Sequence, residues 1–130
     1  MNYNPFSLIG KTIIVTGAGS GIGRAISIEA SKLGAQLILV DVNPQTLSET
    51  LSMLEGHSFN HLSYVCNLAD ENDIIELVNK QTKIDGLVNN AGISNTKPLH
   101  YISSEEFDRL VAVNTKAPLL LTNLLYKEKK

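Results

Sequence analysis

A run of glycines directly after an apolar segment is the part of this sequence best suited to chemistry. Residues 12–16 read Thr-Ile-Ile-Val-Thr, and Gly17, Gly19, Gly21 and Gly23 follow. Apolar β-branched residues without alternation predict a strand covered on both faces. Glycines let a phosphate approach the backbone closely, and the first N–H groups of a helix attract its charge. The segment therefore predicts a site for the pyrophosphate of a dinucleotide.

An acidic residue strengthens this interpretation. The second apolar segment, 37–40, reads Leu-Ile-Leu-Val and ends in Asp41. A carboxylate at the end of the second strand can accept hydrogen bonds from the ribose hydroxyls of an adenosine. The alternative is that Asp41 caps the next helix, although Asn43 and Pro44 already supply a cap and a first helical residue.

Composition excludes several classes of protein. The 130 residues are 43% hydrophobic and 18% charged, which is typical of a globular domain. A net charge of −2 without a basic stripe argues against a nucleic-acid partner. The apolar segments are too short to span a membrane, and residues 1–6 do not resemble a signal peptide. A single cysteine, Cys66, forms no internal disulfide, so we expect a cytoplasmic protein in which this thiol packs as a small apolar side chain.

The histidines do not indicate a metal centre. His57 and His61 are four residues apart, but glycine, serine and asparagine surround them, which favours a loop over a metal-binding helix. No carboxylate or cysteine stands at a matching spacing. We therefore predict no metal site.

Strand and helix signals alternate along the whole chain. Because strands separated by helices form parallel sheets with right-handed crossovers, the order predicts an α/β fold with helices on both faces of the sheet. The last helix begins at a possible capping box, Ser103-x-x-Glu106. The predicted strands are 12–16, 36–41, 62–66 and 86–89, and the predicted helices are 21–33, the segment after 43, the segment after 70, and 103 to about 125.

Two polar segments occur where regular structure should end or bend. Residues 89–92, Asn-Asn-Ala-Gly, close the fourth strand, and their small side chains would let the backbone approach a ligand; an ordinary turn is the alternative. Asn114 stands inside the last helix, four residues before Pro118. Both residues disfavour a regular helix, so we expect a distortion there that offers an amide or carbonyls to the site. A polar surface position followed by a kink is the other possibility.

Together these segments resemble a classical short-chain dehydrogenase/reductase. The resemblance covers nearly all of residues 10–125 and rests on residues 16–23, Asp41, residues 89–92 and Asn114. It implies a Rossmann-type, doubly wound parallel sheet with strand order 3-2-1-4. It also implies one dinucleotide-binding domain over residues 1–130, incomplete on its C-terminal side.

The resemblance assigns NAD as the cofactor and gives individual residues their roles. Gly17, Ser20 and Ile22 would surround the pyrophosphate, and Asp41 would hold the adenosine ribose and select NAD over NADP. Asn114 would be the helix residue of the family's Asn-Ser-Tyr-Lys tetrad. The full set of expected cofactor-binding residues is Gly17, Ser20, Gly21, Ile22, Gly23, Asp41, Asn67, Leu68, Asn90, Ala91 and Gly92.

One position in this set departs from the family pattern. The family usually has aspartate before the hydrophobic residue that follows the third strand, and here Asn67-Leu68 stands there. Asn67 can still accept a hydrogen bond from the adenine amino group through its side-chain oxygen. The substitution weakens the expected contact without removing it.

A second departure concerns catalysis. The family's catalytic serine and Tyr-x-x-x-Lys lie on a fifth strand and the following helix, and the sequence ends at Lys130 before either. Tyr126 and Lys130 match the motif literally, but we interpret them as a charged helix end. We therefore expect the cofactor-binding half of an NAD(H)-dependent alcohol/carbonyl oxidoreductase, inactive at this length, whose small-molecule substrate binds only a full-length form. The alternatives are a non-catalytic NAD-binding or interaction module, and a decayed product that does not fold stably.

An incomplete sheet should also affect association. We expect the strand at Leu87 and Val88 to be an open edge, with one apolar helix face only partly covered. Exposed apolar surface of this kind favours homo-oligomers or aggregation. The residues expected on that face are Phe107, Leu110, Val111, Leu121 and Leu125.

Overall fold

The computed structural model describes residues 3–56 and 60–130, so the interpretation of His57 lies outside the described residues. Strands and helices alternate as the sequence predicts. A short 3-10 turn, Leu99–Tyr101, was not predicted. The elements are β1 (Thr12–Thr16), α1 (Gly21–Lys32), β2 (Gln36–Asp41), α2 (Pro44–Met53), β3 (Leu62–Val65), α3 (Glu71–Asn79), β4 (Gly86–Val88), α4 (Ser104–Val111), a π-helical turn (Ala112–Lys116) and α5 (Ala117–Lys127).

The four strands form one parallel sheet in the order β3-β2-β1-β4. This confirms the predicted α/β class and strand order. Thr16 at the end of β1 pairs with Val40, and Val15 pairs with Val88. Because the strands are parallel and end at nearly the same level, the chain leaves β1, β2 and β4 along one edge of the sheet. Ligands of open α/β sheets bind at this carboxyl edge.

Apolar side chains cover both faces of the sheet. Alternate residues of β1 and β2 contribute to opposite layers, as the two-residue period of a strand requires. Ile14 and Ile38 pack with residues of α3 and α5 on one face. Val15 and Leu37 pack with residues of α1 and α2 on the other. The helices therefore sandwich the sheet, as in a doubly wound fold.

Two predicted strand ends and one expected helix exposure need correction. β3 ends at Val65 and β4 at Val88, each one residue before the predicted end. Leu121 and Leu125 were expected on a partly uncovered face, but only 1% and 7% of their surfaces are exposed. They are covered because α5 packs against α3 and the sheet. Phe107 on α4 is 60% exposed, and β4 forms an outer edge of the sheet, as expected.

The first turns of α2 and α4 show which polar residues are helix caps. Asn43 caps α2, since its Oδ1 accepts from the N–H groups of Gln45 (2.9 Å) and Thr46 (3.2 Å). Asp41 is therefore not the cap, which removes the alternative left open by the sequence. Ser103 caps α4 by accepting from the Glu106 N–H at 3.1 Å.

The expected capping box is only half formed. The Glu106 carboxylate bonds the side chains of Asn95 and Lys97, which lie before α4. It therefore fastens the loop that precedes the helix. Within the described residues, no helix has the length and apolar character needed to cross a bilayer.

Candidate functional site: a cavity at the carboxyl edge of the sheet

The turn after β1 has a backbone that only glycine adopts easily. Gly17 and Gly21 have φ values of +66° and +54°, in the left-handed region. A Cβ on Gly17 would lie 2.9 Å from the Cα of Ala91, and a Cβ on Gly23 would overlap the carbonyl of Gly17. The glycines thus let the turn pack against the end of β4. Ser20 occupies the N-cap position of α1, and its hydroxyl makes no capping bond to the described part of that helix.

Hydrogen bonds tie the ends of β1 and β4 together. The hydroxyl of Thr16 accepts from the backbone N–H groups of Asn90 (3.1 Å) and Ala91 (3.0 Å), and donates to the Val88 carbonyl (3.3 Å). The Asn90 amide donates to the carbonyls of Thr16 (3.2 Å) and Gly17 (3.3 Å). These bonds fix residues 90–92 beside the glycine turn, so the stretch is more than an isolated turn.

Asp41 stands between the end of β2 and the glycine turn. Its Oδ2 accepts the Gly19 N–H at 2.8 Å, and its Oδ1 accepts the Val42 N–H at 2.7 Å. Oδ1 also accepts the Asn43 N–H at the longer distance of 3.4 Å. A carboxylate has about four lone-pair positions, so these three bonds still leave acceptor capacity. Asp41 also lines the adjoining cavity. The carboxylate is therefore oriented by the backbone and remains able to accept from a ligand hydroxyl.

A cavity of about 530 Å³ occupies this edge of the sheet. Its size lies within the usual range for small-molecule and cofactor sites, roughly 300–1,000 Å³. Ten of the residues expected from the sequence line it: Gly17, Ser20, Gly21, Ile22, Asp41, Asn67, Leu68, Asn90, Ala91 and Gly92.

Two of the expected site residues do not line the cavity. Gly23 is buried behind the turn, where it makes room for the Gly17 carbonyl and the Asn90 amide. Asn114 lies in the π-helical turn and bonds the backbone of Ile93, accepting its N–H and donating to its carbonyl, both at 2.8 Å. Both residues thus shape the walls of the cavity, and the expected distortion around Asn114 is present as a π turn.

Asn67 lines the cavity with its side-chain oxygen already engaged. Oδ1 accepts the Ala69 N–H at 3.0 Å, and the Asn67 N–H donates to Asp73 at 3.1 Å. An amide oxygen has two lone pairs, so one remains for a ligand donor.

Sequence reasoning missed five lining residues: Val42, Cys66, Ile93, Arg109 and Val113. Arg109 and Val113 are four residues apart, on one face of the helical segment, but this spacing does not show that the face borders a cavity. Cys66 was expected in the core and is 2% exposed. Burial, together with the carboxylates of Asp73 and Asp70, raises the pKa of its thiol to about 11. The thiol therefore stays protonated near neutral pH.

The other candidate groups lie elsewhere. Tyr126 is 85% exposed near the end of α5, and together with Lys130 it borders a separate groove beside β4. His61 holds strand backbone: its Nδ1 accepts the Leu37 N–H at 3.0 Å, and its Nε2 lies 2.6 Å from the Glu55 carbonyl oxygen. Across residues 3–56 and 60–130, no cluster of three histidine, cysteine or acidic side chains could hold a metal.

The family follows from a match over nearly the whole chain. A family model described as short chain dehydrogenase matches residues 11–130. The chain belongs to the short-chain dehydrogenase family. This confirms the resemblance drawn from the glycine turn, Asp41, residues 89–92 and Asn114.

Individual short-chain dehydrogenases are similar over the same segment. A 3-oxoacyl-[acyl-carrier-protein] reductase of Rickettsia conorii is 36% identical, over 93% of this chain and 49% of the relative. A D-threitol dehydrogenase of Mycolicibacterium smegmatis is 31% identical, over 94% and 48%. The chain thus spans about half the length of the curated relatives that it matches.

Solved structures of the family share the fold. A metagenomic short-chain oxidoreductase in complex with NADP superposes with a TM-score of 0.82 at 31% identity, covering 94% of this chain and 59% of that one. A 3-ketoacyl-(acyl-carrier-protein) reductase from Brucella melitensis complexed with NADH has a TM-score of 0.81 at 33% identity, covering 93% and 50%. Within the family, structures of this fold therefore hold either dinucleotide.

Proposed function

We propose that the cavity at the carboxyl edge of the sheet binds NAD(H). The glycine turn and the start of α1 would receive the pyrophosphate, and residues 90–92 would line the nicotinamide-side ribose. Leu68 and Asn67 would contact the adenine. NADP in one family structure and NADH in another support a nicotinamide dinucleotide as the ligand class. When bound, this cofactor supplies hydride transfer.

The choice of NAD over NADP rests on Asp41. Its carboxylate lines the cavity and is oriented by Gly19 and Val42. Accepting from ribose hydroxyls would favour NAD, whereas a 2′-phosphate at the same place would be repelled. Val42 and Asn43, which follow Asp41 in the chain, carry no charge that could pair with a phosphate. The position of this single carboxylate carries the proposal.

Calorimetry with both dinucleotides tests the assignment. We expect the chain to bind NAD more tightly than NADP, and Asp41→Ala to weaken NAD binding by about tenfold or more, as for loss of a hydrogen bond to a charged group. Glu29→Gln removes an exposed carboxylate from α1 and should change neither affinity. Equal or tighter binding of NADP to the unmodified chain would contradict the choice of NAD.

For the whole protein, we propose NAD(H)-dependent oxidoreduction of an alcohol/carbonyl pair. Membership of the family supports this reaction class. Residues 1–130 would form one dinucleotide-binding domain and would not transfer hydride alone, because the residue pair matching Tyr-x-x-x-Lys borders the groove beside β4. An alcohol-dependent rise in NADH that Tyr126→Phe abolishes would overturn that expectation. The alternative is a non-catalytic NAD-binding module. A protein as long as the relatives that bound NAD but showed no dehydrogenase activity would favour this alternative.

We also propose that the described chain self-associates. β4 is an outer strand whose edge can pair with another chain, and Phe107 is 60% exposed on α4. Leu119 is 68% exposed on α5. Sedimentation should show species larger than a monomer. A monodisperse monomer with a sharp thermal transition would instead indicate a stable domain that needs no partner.

A further inference from the structure

Arg24 on α1 lies outside the cavity, and its guanidinium contacts both the glycine turn and α2. Its Nη2 donates to the Gly19 carbonyl at 2.7 Å, and its Nε donates to the Thr50 hydroxyl at 2.9 Å. The same guanidinium forms an ion pair with Glu49 at 3.1 Å. Only 24% of the side chain is exposed, so the fork is held in one geometry.

Gly19 is consequently fixed at both of its backbone groups. Its N–H donates to Asp41 Oδ2 at 2.8 Å, and its carbonyl accepts from Arg24. There is no space for a side chain here, since a Cβ on Gly19 would lie 2.8 Å from the Asp41 carboxylate and would overlap the Thr46 hydroxyl. A shift of Gly19 would therefore move the group that orients Asp41.

Thr50 fixes the preceding residue of the turn. Its side chain is fully buried on α2, and its hydroxyl donates to the Ala18 carbonyl at 2.8 Å while accepting from Arg24. The buried hydroxyl thus joins the guanidinium to the turn by a second path. Hydrogen bonds of this kind polarise one another in a low-dielectric setting and hold a single arrangement.

We propose that Arg24 is the positioning residue of the ribose site: with Thr50 it holds Ala18 and Gly19 so that Asp41 discriminates between NAD and NADP. This inference rests on the proposed function and extends it to residues that do not line the cavity. The ribose hydroxyls of NAD can donate hydrogen bonds to a correctly placed carboxylate, whereas the 2′-phosphate of NADP is repelled by it. Loss of Arg24 should therefore weaken NAD binding more than NADP binding.

The affinity ratio of the two dinucleotides is the first test. We expect Arg24→Met and Thr50→Val each to narrow the preference for NAD by about threefold to tenfold, the effect of one lost hydrogen bond. If Arg24 and Thr50 had a purely structural role, the variants would bind both dinucleotides more weakly by the same factor, and the ratio of the two affinities would not change. Arg24→Lys keeps the positive charge but lacks the planar guanidinium, so it should narrow the preference for NAD nearly as much as Arg24→Met does.

Two control variants isolate the contact to the turn. Lys32→Met removes an exposed cation from the same helix, and Glu49→Gln removes the ion pair while leaving the bonds from Arg24 to Gly19 and Thr50. Both should keep the ratio of the unmodified chain. If the unmodified chain does not prefer NAD, the proposed function fails; if it does and the Arg24 and Thr50 variants keep its ratio, only the present inference fails.

Hydrogen exchange without ligand gives a second, independent readout. In Arg24→Met and Thr50→Val, the Gly19 amide should exchange at least about tenfold faster, because its bond to Asp41 opens more often. The Val15 amide in β1 reports global unfolding and should keep its rate. Unchanged protection of Gly19 would overturn the inference, and so would acceleration of Gly19 and Val15 by the same factor.

Discussion

The side-chain amide of Asn114 bonds both backbone groups of Ile93, accepting the N–H and donating to the carbonyl at 2.8 Å. These two bonds connect the π-helical turn to the segment after β4, which lines the cavity through Gly92 and Ile93. A Cβ on Gly92 would lie 3.4 Å from the same Asn114 oxygen. The distortion of the helix thus places an amide where it holds one wall of the site.

Replacing Asn114 should loosen that wall. Asn114→Ala removes both bonds, and we expect the free energy of unfolding to fall by about 1–2 kcal/mol because water replaces part of what is lost. Amides of residues 92–94 should exchange faster. Thr115→Ala, on the same turn and also exposed, is the matched control. Equal effects of the two substitutions in chemical denaturation would show that the amide does not hold the wall.

Gly23 should tolerate no side chain. A Cβ there would overlap the Gly17 carbonyl and lie 2.6 Å from the Asn90 amide nitrogen, so the turn or the end of β4 would have to move. We expect Gly23→Ala to lower the free energy of unfolding by about 2 kcal/mol or more. Gly86→Ala is the control, since a Cβ at Gly86 would meet only Ile13 at 3.5 Å. Thermal unfolding of both variants should separate them; similar melting temperatures would contradict the overlap.

Local sequence signals predicted the fold well because each has one physical meaning. The unbroken apolar residues of β1 and β2 indicated buried parallel strands, and glycines before a helical pattern marked the turn between β1 and α1. Asn114 and Pro118 correctly indicated a distorted helix. What the spacing could not show was which groups meet across the fold: Arg24 bonds Thr50 on another helix, and Glu106 pairs with Lys97 instead of completing a cap.

Contacts between distant elements also explain what the sequence predicted less completely, in the core and at the cavity. In the core, Leu121 and Leu125 belong to an apolar helix face that α3 covers, and no local pattern reveals that contact. Arg109 on α4 lines the cavity together with residues 90–93, and helical spacing does not show which elements meet there. Tertiary geometry of this kind has to be observed.

The Cys66 thiol should react slowly although it lines the cavity. Burial raises its pKa from the ordinary value of 9.0 to about 11, which lowers the thiolate fraction at neutral pH by about a hundredfold. Because Cys66 is the single cysteine, the rate of iodoacetamide labelling reports this residue alone. We expect labelling of the native chain to be at least about a hundredfold slower than of the chain in denaturant. Equal rates would mean that the thiol is open to solvent.

Asp85 should make the fold sensitive to acid. The Thr12 N–H, which donates to Asp85 at 2.9 Å, and the nearby Lys83 ammonium lower the pKa of its carboxyl below 3.8. A lowered pKa contributes stability above the unfolded value, and this stability is lost as pH falls through the folded value. Denaturation between about pH 5 and pH 2.5 should show a shallower loss in Asp85→Asn than in the unmodified chain. Identical slopes in the two proteins would rule out this contribution.

The central claim is that NAD occupies the cavity at the carboxyl edge of the sheet, and amide chemical shifts during an NAD titration test it directly. The largest changes should fall at Gly17, at residues 20–22 and at residues 90–92, with a further change at Asp41. Residues 83–87 and Tyr126, which border the groove beside β4, serve as the internal control and should not shift. Saturable changes confined to that groove, or no saturable changes at millimolar NAD, would contradict the account.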